Sequence, residues 1–264
     1  MPQTFGFIPS VPYLWEDVIA TASLNKPILL KGPTGSGKTK FAESIAEHFN
    51  QPVESVNCSV DLDAESLLGF KTLVVDKGIS VIEFVEGPVV KAMKQGHILY
   101  IDEINMAKPE TLPVLHSALD YRRMLTNPFT GEVIQAHPDF KVIAAINEGY
   151  IGTMPMNEAL KNRFIAFQID YLEETALQQL LSSRYTDIPA ERLEEAVKIS
   201  IELQKQVKQG LLAEQAASIR SLLDAIDLSN DMPFSRALHY SIIEKLEDPL
   251  ERRLVEELID MWVS

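Results

Sequence analysis

The 264-residue chain reads as a doubly wound α/β domain followed by an all-helical lid, and three observations point there. Short β-rich runs alternate with helical stretches from Pro27 to about Asp170, the pattern of a mostly parallel sheet flanked by helices. A glycine-rich loop lies between the first of those runs and the first long helix. After Tyr171 glycine and β-branched runs thin out while Leu, Ala, Glu and Gln dominate, as in helices. The expected division is residues 1–170 for the α/β part and 171–264 for the lid.

The candidate strands are 28–31, 54–57, 97–101, 141–146 and 165–169, five in all and enough for one parallel sheet. Two hairpins interrupt the alternation. One pairs 73–75 with 79–84 around Asp76-Lys77-Gly78, and the other spans 124–136 around Thr130-Gly131. In the helix after the glycine-rich loop, Phe41, Ile45 and Phe49 recur every four residues and are expected to be buried. Between Pro189 and Gly210, Leu193, Val197 and Ile201 repeat in the same way and mark a lid helix.

Hydrophobic residues make up 46% of the chain, which supports real cores and excludes disorder. Lys and Arg number 24 against 38 for Asp and Glu, a net charge of −14. Such a chain lacks the broad cationic field of a nucleic-acid binder, so nucleic acid is a disfavoured partner. Cys58 is the only cysteine, which forbids an intrachain disulfide and suits a reducing compartment. His48, His97, His116, His137 and His239 fall at no zinc-site spacing. The N-terminus lacks a secretory pattern and no run reaches the roughly 18 apolar residues of a membrane span, so a soluble, cytoplasmic protein without membrane insertion is expected.

Gly32-Pro33-Thr34-Gly35-Ser36-Gly37-Lys38-Thr39 is a complete G-x-x-x-x-G-K-[ST] string between an apolar strand and a helix. Its glycines let the backbone curl with N–H groups pointing inward, a cradle for phosphate oxygens. Lys38 would neutralise the β- and γ-phosphates of ATP and the Thr39 hydroxyl would bind Mg²⁺. The apolar run 98–101 ends in Asp102 and Glu103, the first suited to hold Mg²⁺ and the second to polarise an attacking water. Asn147 emerges from another buried strand, where it could share that water with Glu103 and sense the γ-phosphate. Arg163, just before the fifth strand, has the position of an arginine finger, and Arg220 could reach the phosphates from the lid side.

Taken in order, these residues resemble the motif set of the AAA+ ATPases: Walker A from Gly32 to Thr39, Walker B at Asp102-Glu103, sensor 1 at Asn147, the arginine finger at Arg163 and sensor 2 at Arg220. Leu67-Leu68-Gly69, Glu86-Gly87-Pro88, Asp102 to Ala107 and Asn162-Arg163-Phe164 are similar to the MoxR and midasin-like branch. Asp120-Tyr121-Arg122-Arg123, Thr130-Gly131-Glu132 and Ala136 to Phe140 resemble the CbbQ, NirQ and NorQ group and its relative GvpN. That group carries Asn-Pro-Gly-Tyr where this chain has Asn147-Glu148-Gly149-Tyr150, keeping the Asn and changing its neighbour.

The resemblance implies a hexameric homo-oligomer with ATP sites between subunits, each completed by Arg163 of a neighbour, with Arg122 or Arg123 as further interface candidates. It makes the hairpin near Asp76 a helix-2 insert and that near Thr130 a pre-sensor-1 hairpin. It also implies a chaperone-like ATPase that remodels a client protein, working with a von Willebrand factor A domain partner. Two other classes compete: a nucleotide-gated assembly module with slow hydrolysis, and a P-loop small-molecule kinase. A kinase needs an acceptor pocket, whereas Glu103 suits water activation.

Overall fold

Parallel strands with apolar side chains on both faces need helices above and below, and the computed structural model of the chain builds that arrangement. It describes residues 4–58, 62–76, 79–108, 111–147 and 156–263. The expected turn at Lys77-Gly78 and the Glu148-Gly149-Tyr150 stretch lie outside the described residues.

Helix α1 (Leu14–Ser23) leads into β1 (Ile28–Gly32), α2 (Lys38–Phe49), β2 (Val53–Asn57) and α3 (Ala64–Leu68). A hairpin of β3 (Gly69–Asp76) and β4 (Ile79–Glu86) follows, then α4 (Pro88–Gln95), β5 (Ile98–Asp102) and α5 (Leu112–Leu119). A second hairpin, β6 (Met124–Thr126) and β7 (Val133–Gln135), precedes β8 (Lys141–Asn147), α6 (Glu158–Lys161) and β9 (Ile165–Gln168). The rest is helical: α7 (Glu174–Arg184), α8 (Ala190–Lys208), α9 (Ile219–Leu228), α10 (Phe234–Ser241) and α11 (Pro249–Trp262).

The main sheet is five-stranded and parallel, in the order β2-β5-β8-β1-β9. Alternation along each strand sends one set of side chains to each face. Ile28, Leu30, Ile98, Tyr100, Ile143 and Ala145 pack with Trp15, Val18, Phe41 and Ile45 of α1 and α2. Leu29, Leu99, Ile101, Val142 and Ala144 pack on the other side with Leu68, Met93 and Leu115 from α3, α4 and α5. A third core, from Tyr171 to Ile259, is built from the C-terminal helices and also contacts Ile8. Among the described residues no helix is long and apolar enough to cross a membrane.

One burial expectation, at Phe49, needs correction, and a second four-residue series behaves alike. Phe41 and Ile45 are fully buried, but Phe49 is only partly covered, with Lys141 Nζ 4.6 Å from its ring centroid. Likewise Leu193 and Val197 are buried while Ile201 is partly covered, and Leu203 takes over the inward position. The cause is the helical period: each four-residue step advances about 40° around the axis, so the third member of such a series leaves the buried face.

Both hairpins are longer or shorter than their sequence signals but lie where expected. β3 and β4 pair from Gly69 opposite Glu86 to Asp76 opposite Ile79, beyond the main sheet. Leu73, Val75 and Ile82 are exposed there by 71%, 71% and 67%, so the hairpin presents apolar side chains to solvent. Lys94 of α4 bridges Glu86 and Glu132, each at 2.7 Å, tying the base of the first hairpin to the turn of the second.

The packing of α2 predicts a large effect at one position. Phe41 is stacked on Phe7 with centroids 3.9 Å apart and lies 5.9 Å from Trp15. Phe41→Ala is expected to cost about 3–5 kcal/mol, read as a lowered midpoint in chemical denaturation; a change below about 1 kcal/mol would contradict this account of the core.

Candidate functional site

The carboxyl ends of β2, β5, β8 and β1 converge on one edge of the sheet, the edge where open α/β sheets bind ligands. Register sets the neighbours: Asn57 lies opposite Asp102, and Gly32 opposite Asn147. A cavity of about 610 Å³ opens there, lined by residues 34–40 together with Asn57, Asp102, Glu103 and Asn147. Its size is that of an ordinary small-ligand site.

The loop from Gly32 to Thr39 owes its shape to two left-handed glycines, Gly35 at φ 77° and Gly37 at φ 92°. Gly37 is the cap from which α2 starts, so the first amides of that helix have no intrahelical acceptor and face the cavity end of the helix dipole. Gly35 is also closely covered: a Cβ there would lie 2.8 Å from Cα of Ser218. Ser36 Oγ is buried without a partner. Lys38 is buried, and its ammonium donates to the carbonyls of Gly32 at 2.9 Å and Pro33 at 2.7 Å, curling inside its own loop. Thr39 Oγ1 lies 3.3 Å from the hydroxyl of Tyr100.

The acidic pair is set by an unusual backbone. Glu103 has φ 51°, a left-handed conformation that costs a non-glycine residue about 1–2 kcal/mol. Its amide donates to Asp102 Oδ1 at 3.0 Å, while Asn147 Nδ2 donates to Glu103 Oε1 at 3.2 Å. The strained turn thus gives the two consecutive carboxylates different partners, Asp102 the Glu103 amide and Glu103 the Asn147 side chain. Burial is the main reason the Tyr100 hydroxyl is held far above the ordinary tyrosine range, with the Asp102 carboxylate adding to the shift against the opposing Thr39 contact.

The opposite wall comes from distant sequence. Phe7 and Ile8 of the N-terminal segment face Leu172, Leu180 and Leu223, an apolar end suited to a flat ring. Arg220, exposed at the start of α9, and Arg184, 3.8 Å from Asp227, bring positive charge to the same cavity. Glu214 Oε2 accepts from the Thr34 amide at 3.0 Å, joining the helical part to the loop.

Arg163 lies elsewhere. β9 runs parallel to β1 with Ile165 opposite Ile28, so Arg163 sits at the amino end of the sheet and the cavity at its carboxyl end. It hydrogen-bonds the Ala159 carbonyl and lines a separate cavity of about 560 Å³ with Asp120 and Arg123. Arg123 turns inward, donating to the carbonyls of His137 at 3.0 Å and Phe140 at 2.6 Å. Arg122 is exposed and pairs with Asp120 at 2.9 Å, so of the two it is the one whose side chain faces outward.

The model of the AAA domain family, dynein-related subfamily, matches residues 27–164, just over half the chain. The chain belongs to that family. It is 55% identical to an uncharacterized protein of Staphylococcus haemolyticus over 97% of both chains, and 55% identical to one of Staphylococcus aureus over 94% of this chain and 95% of that one. Among solved structures it resembles a provisionally named ATPase of Cytophaga hutchinsonii, at 18% identity and TM-score 0.55, covering 99% of this chain and 92% of that one. NtrX from Brucella abortus gives TM-score 0.58 at 17% identity over 94% of this chain and 59% of that one. These structural likenesses carry the fold.

In this AAA domain, the motif residues at 34–39, Asp102, Glu103, Asn147 and Arg220 meet around one cavity, Gly32 and Pro33 form the floor that holds Lys38, and Arg163 stands apart. The donor set fits a polyphosphate: uncapped amides, a buried ammonium and an orphaned hydroxyl at one end. Among the described residues no three His, Cys, Asp or Glu side chains cluster as a metal cage. The Thr39 hydroxyl and Asp102 are groups of this cavity that could hold a divalent cation together with phosphate oxygens.

Phe7, Ile8, Asn57, Leu172, Leu180, Arg184, Leu223 and Glu214 are among the members that motif reading misses. Beneath the site, Cys58 donates its amide to the Asp102 carbonyl, and burial first, then the charges of Asp102 and Glu103, push its thiol up to about 12. A thiol is reactive as thiolate, so below that pH Cys58 stays protonated and inert. With an aromatic disulfide reagent at pH 8 the native protein should label negligibly and the unfolded chain once; rapid native labelling would contradict this geometry.

Proposed function

We propose that the chain is an ATPase that binds Mg²⁺-ATP in the cavity at the end of α2 and uses its hydrolysis to remodel a partner protein. The observation that carries the reading is the hydrogen bond from Asn147 to Glu103 across the mouth of the glycine-rich loop. A carboxylate held by a neutral amide, in a turn strained to present it, suits a group that orients water. The loop amides and Lys38 would hold the phosphates, and the apolar end formed by Phe7, Leu180 and Leu223 would take the base. Arg220 would approach the phosphates from the helical side. Thr39 and Asp102 would hold Mg²⁺, whose chemistry there would be neutralisation of phosphate charge.

Arg163 supports a homo-oligomer. It stands at the amino end of the sheet and cannot serve its own cavity, so as a finger it would complete the site of a second copy, with exposed Arg122 beside it. A hexameric ring of the MoxR and CbbQ type, with a von Willebrand factor A domain adaptor and a protein client, is the arrangement the motif resemblance favours. The exposed apolar hairpin of β3 and β4 suits contact with such polypeptides.

Glu103→Gln should keep ATP binding and lower turnover about 10²–10⁴-fold in a phosphate-release assay; near wild-type turnover would remove Glu103 from its role. Arg163→Ala should lose on the order of 10³-fold or more. Mixing Arg163→Ala with Lys38→Ala protein should restore part of the activity, because each can complete the other's intact half-site. Failure of the mixture to recover, in oligomers shown to co-assemble, would exclude a finger acting between copies.

A further inference from the structure

We infer that Tyr100 is a positioning residue for the cation end of the site, its hydroxyl orienting Thr39 Oγ1 so that the threonine's free lone pair faces the cavity. The inference rests on the Mg²⁺-ATP reading and deepens it. Tyr100 is the only polar side chain in the run Ile98-Leu99-Tyr100-Ile101, whose other members are completely buried, and it is itself only 4% exposed. Two residues before Asp102, it projects from the same face of β5. A buried hydroxyl is costly without a partner, and a phenyl ring would fill the same space in the core against Phe41 and Ile45. Packing therefore accounts for the ring but not for the oxygen.

What the oxygen meets is Thr39, at 3.3 Å, a contact in which either hydroxyl can donate. Whichever way it runs, Thr39 Oγ1 keeps a lone pair that the contact does not use. The separation is longer than the usual hydroxyl–hydroxyl hydrogen bond of about 2.5–3.0 Å, which leaves Thr39 room to turn toward a cation while Tyr100 stays near. Tyr100 touches no phosphate in this scheme; it acts through Thr39.

The test is titration of ADP into full-length protein with and without Mg²⁺, for the wild type, Tyr100→Phe, Thr39→Val and the double variant, with melting followed alongside. Tyr100→Phe should leave metal-free ADP affinity within about twofold and lower the enhancement by Mg²⁺ about three- to tenfold, the range of one hydrogen bond. In the Thr39→Val background the same change should have no further effect. A Mg²⁺ enhancement unchanged in Tyr100→Phe, or losses that multiply in the double variant, would overturn the inference. Wild-type protein that binds no ADP, or binds it without regard to Mg²⁺, would instead remove the nucleotide reading itself.

Discussion

A helix can offer its first amides to an anion only when the chain entering it turns aside and leaves them uncovered. Here Gly35 and Gly37 make that turn, and everything else in the site is arranged around the loop they create. β1 delivers the loop to the carboxyl edge of the sheet, and Phe41 and Ile45 fix α2 against Trp15 and the strands. Because α2 is pinned by its buried face, its amino end is a fixed point against which Asp102 and Asn147 can be placed. A looser α2 would leave the same residues without a common geometry.

The electrostatics are local. The chain carries a net charge of −14, so no long-range field draws an anion to it. Attraction has to come from oriented amides and from a few cations close by: Lys38 inside the loop, Arg220 and Arg184 on the opposite wall. The acidic residues near the cavity are correspondingly engaged, Asp102 by the Glu103 amide, Glu103 by Asn147 and Glu214 by the Thr34 amide. The loop that would grip phosphate is also contacted from the helical side, at Thr34 by Glu214 and at Gly35 by Ser218.

Much of this was legible in the sequence because it is written in local pattern. The five strands, the loop, the two hairpins and α8 follow from alternation, glycine placement and helical period; the ends of the main-sheet strands shift by about a residue, while the first hairpin begins at Gly69 and not at Leu73. Burial at Phe49 and Ile201 was not legible from spacing alone, since a strict four-residue repeat drifts off the helix face. Asp102, Glu103 and Asn147 could be named from strand ends, but their hydrogen bond joins residues far apart in the chain and needed the sheet order β5-β8 to become visible. The apolar wall of the cavity is the part that pattern could not reach. Phe7, Leu172, Leu180 and Leu223 belong to three separate stretches, and each looks like an ordinary core residue until the fold brings them together. Arg163 shows the converse: its role was suggested by position before β9, while its distance from the cavity became apparent only from the parallel pairing of β9 with β1.

The central claim is that the loop ending in Lys38 holds a nucleoside triphosphate. Calorimetric titration of a non-hydrolysable ATP analogue with Mg²⁺, into wild-type and Lys38→Ala protein that melt alike, tests it most directly. The account predicts saturable binding approaching one nucleotide per chain in the wild type and its loss in Lys38→Ala. Equal binding by both proteins, or none by either, would contradict it.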